Sequence, residues 1–151
     1  MMFPKPTKNP KIKTKKPKKV TVRQARKKVE ALFSIYIRTR DCLRTTGTKT
    51  KGHCVTCKRQ YDFKELQAGH FVSGRHPTVI FNEKNCHAQC VGCNVFKRGN
   101  IIPYYQFMEK TYGKKVIVSL MKQDSTLKKF TVIELQELFN TFTIKLYELK
   151  G

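Results

Sequence analysis

The sequence predicts a small α+β domain in which a four-thiolate metal clamp holds short strands between flanking helices, behind a disordered basic N-terminal tail. Three observations predict it. Cys54-Val55-Thr56-Cys57 and Cys90-Val91-Gly92-Cys93 are two CxxC knuckles separated by 32 residues, a set able to close a tetrahedral shell around one structural Zn²⁺ and leave it no open position for chemistry. Apolar residues recur at helical spacing on either side of this pair. Residues 1–20 hold eight lysines, four of the six prolines and no acidic residue.

Taken in order, residues 1–20 cannot bury enough apolar surface to offset their ordering entropy, so a disordered tail is expected. Its lysines, Lys15, Lys16, Lys18 and Lys19 among them, are either a solvated charge run or an arm that condenses onto phosphates. With Lys and Arg at 32 against 10 Asp and Glu, a formal charge of +22, the arm is the better reading. Residues 21–151 then form one domain, with its core at 50–100 and C-terminal helices at 101–151. Thr21 and Gln24 make a capping box, followed by Val22, Ala25, Val29, Leu32, Phe33 and Tyr36 as one helical stripe. Residues Gly47 to Gly52 read as a loop into the first knuckle. Between the knuckles, Gln60–Phe63, Gly69–Val72 and Thr78–Phe81 are short β-leaning runs, and a compact hairpin is expected near His70. A helix is expected to start around Cys90 or Asn94. Pro103 begins another that ends at Gly113, and Lys115–Lys122 leans helical. In the last helix Thr131 and Glu134 form a second capping box, and Leu135, Leu138, Phe139, Phe142, Leu146 and Leu149 carry the stripe. That stripe either closes the domain's own core or offers a homodimer interface.

The composition narrows the function classes. No apolar run approaches the ~18 residues of a membrane span. No apolar core follows the N-terminal lysines as a signal peptide would require, so an intracellular, cytoplasmic protein is expected. Six cysteines in such a compartment favour metal over disulfides. Four are in the knuckles, and Cys42 and Cys86 read as small buried residues. The charge points to nucleic acid as partner.

The interval between the knuckles is much longer than the roughly 15–20 residues of a plain zinc ribbon. It is rich in His, Asn and Gly, as expected when a clamp holds an active site. Residues 67–100 run Gln-Ala-Gly-His-Phe-Val-Ser-Gly-Arg-His-Pro, then Phe-Asn-Glu-Lys-Asn-Cys-His-Ala-Gln-Cys-Val-Gly-Cys-Asn-Val-Phe-Lys-Arg-Gly-Asn. This resembles the HNH (ββα-metal) nucleases, whose pattern is a strand-end His, an Asn five residues before a CxxC, and an Asn or His directly after it. The matching positions are His70, Asn85 and Asn94, with Lys97 following. The finer wording, AGHF and NCHAQCxxCN followed by GN, is similar to the NinG (Rap) family of phage recombination endonucleases, over roughly residues 30 to 115.

The resemblance implies a ββα-metal core and a metal-dependent DNA endonuclease acting on branched recombination intermediates, Holliday junctions and displaced-strand joints included. A phage origin would place it in the bacterial host cytoplasm. Phosphodiester hydrolysis needs a base for water and a cation for the charge on the leaving oxygen. The resemblance gives His70 as base, Asn85 as the residue that orients it, and Asn94 as a ligand of a catalytic divalent cation, Mg²⁺ or Mn²⁺. The pattern departs at Gly69, where most members carry an Asp ligand. His87 could supply the missing ligand if it faces the same cleft, or could pack as an outer-shell partner of the knuckle; Glu83 and Asp62 are weaker substitutes. His53 and His76 read as loop residues. Arg75, Lys97 and Arg98 are candidate phosphate contacts, while Tyr104, Tyr105 and Phe107 read as helix core rather than base-stacking groups. The competing function is a non-catalytic zinc-stabilised nucleic-acid-binding protein, which explains the charge and cysteines but not the register of His70, Asn85 and Asn94.

Overall fold

The computed structural model describes residues 19–73, 77–124 and 128–151. The expectations for the tail, Lys15, Lys16 and Lys18 included, and for Arg75 and His76 therefore lie outside the described residues.

Helix α1 runs over Val22–Thr46 and starts as expected: the Thr21 side chain accepts from the Gln24 amide, and Gln24 reaches back to the Thr21 amide. It stops at Gly47, which takes the left-handed φ of 71° that ends helices readily. Two antiparallel two-stranded sheets follow. Strand β1 (Lys51–His53) pairs with β2 (Gln60–Asp62) around the first knuckle, and β3 (Leu66–His70) pairs with β4 (Cys86–Cys90). A helical turn, α2 (Pro77–Ile80), lies between β3 and β4. A wide π-type turn at Gly92–Phe96 leads to α3 (Ile101–Tyr112), α4 (Lys114–Asp124) and α5 (Val132–Lys150).

Two expectations are corrected. Thr78–Phe81 is not a strand; Pro77 opens a turn of helix there, because proline's fixed φ suits a first helical position. The hairpin at His70 is not local: β3 pairs with the strand that ends in the second knuckle, and Gly69–Val72 is extended only as far as His70. The metal clamp thus closes the same hairpin that carries His70.

The hairpin lies on α1, with α5 packed on α1 as well. Val29, Phe33, Tyr36, Ile37, Leu135, Phe142, Leu146 and Cys86 form one buried cluster. The apolar stripe of α5 is therefore spent on the chain's own core, which removes the reason for assigning it to a dimer. A second cluster, including Phe71, Val79, Tyr104, Met108 and Leu120, joins the loop after β3 to α2, α3 and α4. Cys42 and Cys86 are buried as expected, and burial pushes both thiols above the ordinary range.

A buried ion pair, unexpected from sequence, fixes the hairpin to α1. Arg40 Nε donates to Asp41 Oδ1 at 2.7 Å, and its other nitrogens donate to the carbonyls of Glu83 and Cys86. Asp41 Oδ2 accepts from the Ala88 amide at 2.7 Å. Each charged atom is thereby paired, the condition under which a buried ion pair is tolerated.

Candidate functional site

The four knuckle thiols come together: the sulfurs of Cys54, Cys57, Cys90 and Cys93 all lie within 4.8 Å of one another. A soft, four-thiolate set at this spacing fits Zn²⁺. The surroundings pull the first two thiols apart, favouring thiolate at Cys54 while burial pushes Cys57 up to about 11. Burial raises the Cys54 thiol, but hydrogen bonds from the Thr56 hydroxyl and nearby backbone outweigh it and hold Cys54 at about 6. The Cys93 amide points at Cys90 Sγ (3.4 Å), and Asn100 Nδ2 at Cys93 Sγ (3.5 Å).

His70 ends β3, half-buried. Its Nε2 lies 2.8 Å from the Ile80 carbonyl. A carbonyl only accepts, so Nε2 carries the proton and Nδ1 keeps its lone pair. Phe33 of α1 stacks along the ring, with centroids 6.4 Å apart and planes at 29°. Burial lowers the His70 pKa, opposed in part by the Ile80 hydrogen bond and the Glu30 carboxylate; the ring is neutral near pH 7. A neutral imidazole with one nitrogen fixed and the other without a partner among the described residues is the form a general base needs.

Asn85, fully buried, does not touch His70. Its Nδ2 donates to the carbonyls of Val72 and Val79, and its Oδ1 accepts from the Val72 amide. The Asn85 backbone carbonyl accepts from Phe71. It thus ties the chain just after His70 to the end of α2, one residue before the carbonyl that holds the imidazole. Orientation of His70 by Asn85 is indirect, through the loop.

His87 is not in the His70 cleft. In the antiparallel register it faces Gly69, whereas His70 faces Cys86; side chains alternate across a strand, so the two histidines leave opposite faces. Both ring nitrogens of His87 are engaged, Nδ1 with the Tyr104 hydroxyl at 3.1 Å and Nε2 with the Tyr112 hydroxyl at 2.9 Å. Tyr104 donates to the Gly69 carbonyl at 2.7 Å, so its oxygen must accept from His87 Nδ1–H, and Nε2 must accept from Tyr112. This run of hydrogen bonds fixes a neutral His87, whose pKa burial lowers to about 3. Of the two readings open for His87, ligand or packing residue, its contacts fit the second: it props the backbone next to His70. Glu83 is occupied as well, ion-paired with Lys145 and accepting from the Tyr36 hydroxyl. Asp62 caps the turn at Phe63–Glu65.

Gly69 has its own reason for lacking a side chain. A Cβ there would come within 2.8 Å of Gln89 Cδ and closer still to Gln89 Oε1. Gln89 is wholly buried, its Nε2 donating to the Gly99 carbonyl (2.8 Å) and the Thr56 hydroxyl (3.2 Å). Its Oε1 is the one buried side-chain polar atom without a partner among the described residues. The space that an aspartate would take is filled by this amide.

Asn94, partly exposed in the turn after the second knuckle, donates from Nδ2 to Gln67 Oε1 at 2.8 Å, which leaves Oδ1 as an acceptor or ligand. Apart from the clamp, no group of three His, Cys, Asp or Glu among the described residues could hold a metal. The donor set for a catalytic cation is thus thin, and fits one only where substrate phosphate oxygens complete the shell, as they commonly do for Mg²⁺. Lys97 and Arg98 are exposed on the same turn, and Lys19 is exposed at the start of the described chain. Tyr104 is core, as expected, and Phe107 packs edge-on to His87; Tyr105 keeps an exposed edge.

The fold and site define a strongly basic α+β protein in which a four-cysteine metal clamp closes a β-hairpin ending in a neutral, oriented histidine. Comparison with known proteins supplies the family. The NinG family model, described as the bacteriophage lambda NinG protein, matches residues 5–151, and the chain belongs to that family. It is similar to protein ninG of Escherichia phage lambda, with 29% identity over 137 residues, covering 90% of this chain and 60% of the relative. Protein ninG of Salmonella phage P22 gives 29% over 136 residues, 89% of this chain and 60% of that one. Protein ninG of Enterobacteria phage H19B gives 31% over 103 residues, 68% and 45%. The chain therefore spans about 60% of the length of the lambda and P22 relatives. No solved structure matches it. No helix among the described residues is long and apolar enough to cross a membrane.

Proposed function

We propose that this chain is an HNH-type DNA endonuclease that hydrolyses phosphodiester bonds, with branched recombination intermediates as its substrates and His70 as general base. The observation that carries the reading is the state of His70: Nε2 held by the Ile80 carbonyl, Nδ1 without a hydrogen-bond partner among the described residues, the ring neutral and stacked on Phe33. In this reading Nδ1 takes a proton from water as the water oxygen bonds to phosphorus and the P–O bond to the leaving oxygen breaks. Asn85 keeps the loop after His70 against α2, so the imidazole does not have to be ordered in each turnover. The resemblance would place a Mg²⁺ or Mn²⁺ ion on Asn94 Oδ1 to neutralise charge on the leaving oxygen. Asn94 is bonded to Gln67, on the Gly69 face of the strand rather than the His70 face, so the substrate phosphate would have to bridge the ion and the base around the strand end. The fixed four-cysteine clamp and the +22 charge are consistent with DNA as partner. The preference for Holliday junctions and displaced-strand joints rests on the family resemblance.

The test is cleavage of a labelled four-way junction beside linear duplex and single strand, with Mg²⁺, Mn²⁺ or EDTA, by wild type and His70→Ala. Cation-dependent cutting at the branch by wild type alone is expected, with DNA binding retained in the variant. Cutting that survives His70→Ala removes His70 from the chemistry. Binding without cutting under every condition makes the chain a zinc-stabilised binding module.

A further inference from the structure

The turn between the second knuckle and α3, with the first residues of α3, leaves several apolar side chains exposed among the described residues. Phe96 is 81% exposed and Ile102 72%, with Val95, Ile101 and Tyr105 exposed nearby in sequence. Isolated exposed apolar residues are ordinary, but five within eleven residues of a turn and the helix it leads into suggest an interaction surface. The turn is not slack. Arg98, Gly99 and Asn100 all take positive φ (48°, 89° and 47°), a backbone that non-glycine residues adopt at a cost. It is held by bonds from the Lys97 amide to the Gly92 carbonyl, from Gly99 to Cys93, and from Asn100 to Lys97, each at 2.9 Å. The phenyl group is thus presented on a rigid mount built from the clamp itself.

The partner is indicated by what accompanies the patch. Lys97 and Arg98 follow Phe96 directly and are both exposed. A second copy of the chain docked here by a twofold axis would bring the same basic residues face to face, on a protein already at +22. DNA offers the complement: phosphates for the two cations and the π-faces of unstacked bases for the ring. Tyr105 of α3, whose ring lies 6.3 Å from that of Phe71, joins the start of that helix to the residue after His70.

We propose that Phe96, with Ile101 and Ile102 exposed where the turn enters α3, is an apolar wedge that enters between bases where DNA is already opened, while Lys97 and Arg98 hold the flanking phosphates. The inference rests on the nuclease reading for its substrate, but not for its test. Proteins that insert such wedges unstack a base step, which a branch point makes less costly than an intact duplex does. Discrimination of branched from linear DNA would then reside in this turn rather than at His70.

The experiment measures binding of wild type, Phe96→Ala and Phe96→Tyr to a four-way junction and to a linear duplex of the same arm sequence, with permanganate reactivity of thymines at the branch. All measurements are made on zinc-loaded protein without added Mg²⁺ or Mn²⁺, so cutting plays no part. Loss of one stacking partner should weaken junction binding by about tenfold in Phe96→Ala, leave linear binding nearly unchanged, and lower thymine reactivity; Phe96→Tyr should behave as wild type. Equal loss on both DNAs, or none on either, overturns the wedge. A wild-type dimer in sedimentation that Phe96→Ala dissociates would overturn it too, in favour of a self-interface. Phe96 is too exposed for its truncation to unfold the chain, and zinc content checks this directly. Failure of the nuclease reading shows separately, as absence of cutting by wild type.

Discussion

Gly69→Ala is the sharpest perturbation available at the site. The Gly69 backbone is not in the left-handed region, so on chain entropy alone alanine should stabilise by about 0.4–1 kcal/mol. The structure reverses that sign. The new methyl would stand 2.8 Å from Gln89 Cδ and 3.0 Å from Cγ, closer than real Cβ atoms come to their neighbours. Gln89 cannot step aside cheaply, because it is wholly buried and bonded through Nε2 to Gly99 and Thr56. Displacing it forfeits two hydrogen bonds of roughly 0.5–1.5 kcal/mol each and leaves buried partners unsatisfied. Net destabilisation of about 2 kcal/mol is expected for zinc-loaded protein in urea titration. Gln89→Ala removes the obstruction, so the double variant should recover part of the loss, with a coupling of about 1 kcal/mol or more. Gly69→Ala within 0.5 kcal/mol of wild type (about the scatter of unrelated surface changes), or a double variant that simply sums the singles, refutes the account. By the same geometry Gly69→Asp would not restore the usual carboxylate ligand.

Three further outcomes are expected. Cys57→Ser or Cys90→Ser should abolish zinc binding and the folded state together, since a structural zinc supplies folding free energy; native circular dichroism at zero zinc would refute the clamp. His87 gives an acid dependence of stability: with its pKa near 3 in the fold and about 6.5 unfolded, the unfolded chain binds the extra proton between those values, so stability falls as pH drops. From pH 7.5 to 5 the loss is about 2 kcal/mol. His87→Gln should flatten that slope, and parallel curves for the two proteins would refute the assignment. Replacing Lys15, Lys16, Lys18 and Lys19 by Ala should reduce the salt slope of DNA binding by about 0.9 for each phosphate no longer neutralised; an unchanged slope means those lysines do not grip phosphate.

Much of the framework was legible because local signals and tertiary structure agree. Both capping boxes, Thr21 with Gln24 and Thr131 with Glu134, sit where the helices begin. The two knuckles meet as their chemistry requires. The misreadings share a cause, which is that residue type was read without strand parity or tertiary cover. His87 looked like a ligand by type, yet one residue of register puts it across the hairpin from His70. Thr78, Val79 and Ile80 looked like strand because they are β-branched, but Pro77 precedes them and Val79 packs into the α3–α4 cluster. Arg40 and Asp41 gave no signal at all: charged neighbours in a helix normally face water, and here the strand β4 and the turn before it cover and pair them.

The arrangement around positions 69 and 70 also explains why the motif needs elements outside it. The two residues face opposite sides of one strand and are secured by different helices. The Gly69 carbonyl is held by Tyr104 of α3, with His87 and Tyr112 behind it. The His70 ring is held by the Ile80 carbonyl and covered by Phe33 of α1. Phe33 and Tyr104 lie outside the knuckles and Ile80 between them, so the clamp fixes the hairpin while α2 and the flanking helices together fix the imidazole. Positioning a base to a fraction of an ångström needs both. That division accounts for a buried, neutral histidine on the far face: it carries the geometry of α3 through to the backbone on which the candidate base stands.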